Sequence, residues 1–95
     1  MKIGELKEKR EQILAIAERH GAQRIQVFGS LAKGESGKES DVDFLIQLEP
    51  GRTLLDIIAM KQDLEDLLGR KVDVLTRGGV SPYLRDEIVS QAISL

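Results

Sequence analysis

Residues 41–48, Asp-Val-Asp-Phe-Leu-Ile-Gln-Leu, constrain the fold more than any other stretch of this chain. Val42, Phe44, Ile46 and Leu48 recur every second residue, which in an extended backbone puts all four on one face. Asp41, Asp43, Leu45 and Gln47 fall on the other. An apolar strand face has to be covered, so the segment demands partner strands and helices packed against it. Aspartate is a poor strand former. Yet two aspartates open this strand, pointing the same way about 6.5–7 Å apart along the chain. With 95 residues, one compact core is within reach and two are not, so a single domain over residues 1–95 is expected.

The remaining segments supply the cover. Residues 4–20 read as a helix with Leu6, Ile13, Leu14 and Ala17 at helical spacing, a charged opposite face, and Gly21 as its stop. Arg24–Phe28 alternates into a short strand that ends at Gly29. Thr53 and Asp56 form a capping-box pattern, with Asp in the place of Glu, ahead of a helix over 54–68 that carries Leu54, Ile57, Ile58, Leu64, Leu67 and Leu68 as its apolar face and that Gly69 ends. Residues 71–76, Lys-Val-Asp-Val-Leu-Thr, read as a third strand. Ser81-Pro82 places an N-cap before a proline at the first helical position, and Leu84, Ile88, Val89 and Ala92 line the last helix. The predicted order is α-β-α-β-α-β-α, counting one helical turn in the 29–41 link. The class is α/β: a small mixed β-sheet of about three strands backed by helices. Strands 41–48 and 71–76 flank a helix and should run parallel. The short link from 28 to 41 should make 24–28 and 41–48 antiparallel.

This arrangement gathers carboxylates. Val72 and Val74 are apolar, so Asp73 projects to the opposite face. In the simplest register it joins Asp41 and Asp43. Like charges in close proximity repel unless a cation neutralises them, and local violations of strand preference that meet in space concentrate at functional sites. Hard carboxylate oxygens suit Mg²⁺ or Mn²⁺. Cysteine is absent and His20 is the single histidine, which argues against zinc and against a Ser-His-Asp triad. His20 itself reads as a residue at a helix C-terminus. Pairing of the first two strands would put Gly29 and Ser30 beside Asp41. Glycine admits close approach of a ligand to the backbone, Ser30 can cap a turn whose N–H groups face a phosphate, and Lys33 adds positive charge. The sum is a phosphate cradle beside a metal cluster, which is a nucleoside triphosphate site.

Other readings are weaker. Residues 36–40, Ser-Gly-Lys-Glu-Ser, resemble a P-loop, but Glu39 follows the lysine where Ser or Thr is required. A net charge of −2 gives no electrostatic reason to expect direct nucleic-acid binding. Two phenylalanines, one tyrosine and no tryptophan make a poor base-stacking platform. No apolar run is long enough to span a bilayer, the charged N-terminus does not suit a secretory signal, and the lack of cysteine fits a cytoplasmic location.

The combination of Gly29-Ser30, Asp41-x-Asp43 and a later strand-borne Asp73 resembles the nucleotidyltransferase superfamily that includes DNA polymerase β and the kanamycin nucleotidyltransferases. The short chain resembles its smallest branch, the minimal nucleotidyltransferase (MNT) domains. The resemblance implies that Gly29 and Ser30, with Lys33 nearby, contact the triphosphate of ATP. It implies that Asp41, Asp43 and Asp73 hold two Mg²⁺ ions, and that Asp73 also deprotonates an acceptor hydroxyl. Larger relatives carry a separate acceptor-binding domain, which is missing here, so the acceptor is expected to be a partner protein. Family likeness supplies a HEPN-domain toxin, with this chain as its antitoxin. Two alternatives stand beside that reading: an antitoxin-like subunit that works by binding alone, and an enzyme for a small molecule such as an aminoglycoside.

Overall fold

The structure, a computed structural model, describes residues 3–29, 42–79 and 82–95. Its elements are α1 (Ile3–Glu8), α2 (Arg10–Arg19), β1 (Ala22–Phe28), β2 (Val42–Leu48), α3 (Leu54–Leu68), β3 (Val72–Thr76), a 3₁₀ turn (Arg77–Gly79), α4 (Pro82–Gln91) and β4 (Ile93–Ser94). The sheet order is β3-β2-β1-β4. β1 runs antiparallel to β2 and to β4, while β2 and β3 are parallel. Both expected pairings are therefore present, and the fold is the mixed α/β sheet backed by helices.

The apolar face of the sheet meets α1, α2 and α3. Ile25, Val27, Val42, Phe44, Ile46 and Val72 pack there with Leu6, Ile13, Ala17, Met60, Leu64 and Leu68. The period of two on the strands and of three to four on the helices thus closes on one core. Each chain end of α3 is built as its sequence suggests. The Thr53 hydroxyl accepts from the Leu55 N–H at 3.3 Å, and Asp56 accepts from the Thr53 N–H at 2.9 Å. Gly69 then ends the helix with φ 65° and donates to the Glu65 carbonyl.

Three details depart from the sequence expectations. The helix over 4–20 is broken at Lys9. There the Lys9 N–H bonds the Leu6 carbonyl in a tighter turn, and the Lys9 ammonium donates to the Leu67 carbonyl at the end of α3. That tertiary contact serves an orphan helix carbonyl, and nothing local to residues 4–20 announces it. The sheet has four strands rather than about three. β4 is two residues long, too short to show any alternation, and is held by pairing with Gln26 and Val27. The last helix stops at Gln91, one residue before Ala92. Among the described residues no helix is long and apolar enough to cross a membrane.

Candidate active site

Strand register decides which side chains meet. Val42 and Phe44 are fully buried in the core, so the pleat turns the intervening Asp43 to the opposite face, where it is half-buried. In β3, Val72 is buried on the core side and Asp73 is half-buried on the other. Asp43 and Asp73 are register partners across the β2–β3 ladder. Their backbones are therefore one strand spacing apart, about 4.8 Å. On the other flank Phe28 is the register partner of Asp43. The row across the sheet reads Phe28, Asp43, Asp73.

The next row along this face carries no charge. It runs Ser94, Gln26, Leu45, Leu75. Leu45 is 1 % exposed yet lies outside the main core cluster, and buried Gln26 donates to the Ser94 hydroxyl at 3.4 Å. The 3₁₀ turn contacts β2 and α4 contacts β1. The acidic pair is thereby confined to one end of the sheet, where β1 finishes and β2 and β3 begin. A cleft of about 390 Å³, floored by Leu14, Ala17, Ala22 and Ile25, lies at the opposite end of β1.

Gly29 closes the site on the β1 side. It follows Phe28 directly and has φ 76°. The space that a β-carbon would occupy there is filled by the Asp43 carboxylate: an ideal Cβ would stand 3.3 Å from Asp43 Cγ and closer still to Oδ2. The sequence reading set Gly29 beside Asp41, which lies outside the described residues; the contact the structure shows is with Asp43. Ser30, Lys33 and Asp41 lie outside the described residues. Of the three carboxylates expected to converge, Asp43 and Asp73 do so. Among the described residues no cluster of three or more His, Cys, Asp or Glu side chains is assembled.

Two adjacent hard-oxygen donors, with no imidazole or thiolate beside them, form the kind of set that Mg²⁺ uses when substrate phosphates and waters complete its shell. The fit to such an ion is good. Phe28 was not singled out from the sequence as part of this row. It alternates in phase with Gln26, but only the register with β2 sets it beside Asp43.

His20 caps the C-terminal end of α2, as its position suggests, and its Nε2 lies 2.7 Å from Asp63 Oδ2 on α3. That pair ties two helices together on the core side of the sheet, away from the acidic row.

A model of the nucleotidyltransferase domain matches residues 9–95. A Methanocaldococcus jannaschii protein, provisionally named a protein adenylyltransferase, is 40% identical over 95 residues, spanning 100% of this chain and 99% of its own. A solved structure of a provisionally assigned minimal nucleotidyltransferase superposes with a TM-score of 0.91 at 45% identity, covering 100% of this chain and 97% of that one. The fold alone is shared with a chain from the solved complex of a tri-AMPylated Shewanella oneidensis HEPN toxin with an MNT antitoxin. There the TM-score is 0.71 at 19% identity, over 93% of this chain and 69% of that one.

Proposed function

The chain belongs to the nucleotidyltransferase domain family, and from that membership we propose that it moves AMP from ATP onto a hydroxyl of a partner protein, using Mg²⁺. The observation that carries the reading is the in-register pair Asp43 and Asp73, with Asp43 set against Gly29. Asp41, Asp43 and Asp73 are the residues that would hold the metal. When bound, Mg²⁺ supplies charge neutralisation for the attacking and leaving oxygens of the displacement.

The other parts follow from the chain. Gly29 and Ser30 offer backbone N–H groups to the triphosphate, with the Lys33 ammonium as a further cation. Asp73 is the carboxylate that would accept the proton of the attacking hydroxyl. The new bond joins that hydroxyl oxygen to the α-phosphorus. The bond to pyrophosphate breaks, and pyrophosphate leaves. Positioning and electrostatics then supply most of the acceleration.

A protein acceptor is favoured by the likeness to a relative named as a protein adenylyltransferase. The solved complex of an AMPylated HEPN toxin with an MNT antitoxin, one chain of which shares this fold, supports a HEPN-type partner.

The test is co-expression with the neighbouring gene product and intact-mass spectrometry in the presence of ATP and Mg²⁺. The expected result is a partner heavier by one or more AMP units, with the increment lost in Asp43→Asn. Tight association with no mass change would favour action by binding alone.

A further inference from the structure

We propose that Gly29 is a positioning residue for Asp43, in addition to any contact it makes with a nucleotide; the proposal rests on reading this face as a metal–nucleotide site. Two independent constraints act on Gly29. Its φ of 76° is one that L side chains rarely adopt. Separately, the volume on its Cβ side is already taken. An ideal β-carbon would lie 3.5 Å from Asp43 Cβ, 3.3 Å from Cγ, and closer than 3.0 Å to Oδ2. The whole Asp43 side chain, from Cβ to carboxylate, therefore runs along the bare flank of Gly29.

An aspartate has only two side-chain torsions. A wall on one side removes much of their freedom. The ladder adds a second constraint, since Asp43 is held in register between Phe28 and Asp73. The carboxylate is thus directed before any cation arrives. Mg²⁺ and Mn²⁺ accept oxygen ligands within narrow limits, with site distances good to about 0.2 Å. A methyl group at position 29 would displace Oδ2 by more than that tolerance. It would cost metal affinity even in a chain that still folds.

The two constraints separate experimentally, because Gly51 shares one and lacks the other. Its φ is 90°, and nothing lies within 4 Å of its ideal Cβ. Gly51→Ala therefore reports the backbone cost alone. The probe is Mn²⁺ with a non-hydrolysable ATP analogue, followed by electron paramagnetic resonance. Thermal unfolding of the metal-free protein is measured in parallel.

The expected result is that Gly29→Ala weakens Mn²⁺ binding about 10- to 100-fold, the range seen when a ligand's supporting contacts are lost. Gly51→Ala should leave binding unchanged. In the metal-free protein, Gly29→Ala should lower the melting temperature more than Gly51→Ala does, and the excess should vanish in the Asp43→Ala background. Wild-type Mn²⁺ affinity in Gly29→Ala overturns the proposal. So does an equal loss of stability with and without Asp43, or failure to fold in both backgrounds, since each makes position 29 a matter of backbone conformation only. A wild-type protein that binds no Mn²⁺ overturns the site reading beneath it.

Discussion

In the proposed function Asp43 and Asp73 are the residues that carry the chemistry, and each is separable from the fold. Both are half-buried on the face away from the main core. Replacing either by asparagine keeps the shape and removes the charge. Asp73→Asn should lower nucleotidyl transfer by roughly 100-fold or more, in the range measured for single groups that stabilise developing charge. It should leave the unfolding transition cooperative. Relief of like-charge repulsion with Asp43 should also hold the melting temperature level or raise it in the absence of metal. Transfer assayed with labelled ATP, beside thermal unfolding, checks both halves. These residues stand out in the sequence because aspartate is out of place in a strand. That they are direct register partners was not legible there, since alternation fixes a face but not the offset between strands.

At the scale of the element, α3 is where local chemistry speaks most plainly. The capping box at Thr53 and Asp56 and the left-handed Gly69 bound it at the residues the sequence indicates. Thr53→Ala should cost about 1 kcal/mol, which for a chain of this size is a fall of roughly 4–8 °C in melting temperature. The cap also sets a pH dependence. Asp56 titrates below its ordinary value chiefly because its carboxylate accepts from the Thr53 N–H; loss of hydration opposes this, and the nearby Arg52 guanidinium reinforces it. Its folded value lies below the unfolded one, so the stabilisation is fully present above pH 3.8 and is lost as pH falls through the lowered value. The stability advantage of wild type over Asp56→Asn should therefore be flat from neutrality down to about pH 4 and should disappear below it. Thermal unfolding in a series of buffers reads this directly. The α1–α2 break and β4 were not legible. Lys9 answers to a carbonyl on α3, and β4 exists only through its pairing with β1.

For the whole molecule, the main core among the described residues is the layer of contacts between one sheet face and three helices. Phe44 is at its centre and fully buried. Phe44→Ala should cost about 3–5 kcal/mol, against a total of roughly 5–15 kcal/mol for a domain of ordinary stability. Chemical denaturation should show a midpoint shifted far toward zero denaturant, and nucleotide binding should fall with the folded fraction. A Phe44→Ala chain with an unchanged midpoint would mean that the core lies elsewhere.

The sequence by itself determined β1, β2 and β3, the bounds of α3, the apolar face of β2 and the two strand pairings. These follow from short-range physics: the period of a strand or helix and the preferences of caps. On α3, by contrast, Leu54 and Ile58, expected on the buried face, are exposed, and Met60, not expected there, is fully buried. Only the tertiary structure decided the offset that makes Asp43 and Asp73 partners, the filling of the Gly29 flank by the Asp43 carboxylate, the place of Phe28 in the acidic row, and the fourth strand. Each of these depends on contacts between residues distant in the chain. Their energies are settled by packing and register, which no local pattern encodes.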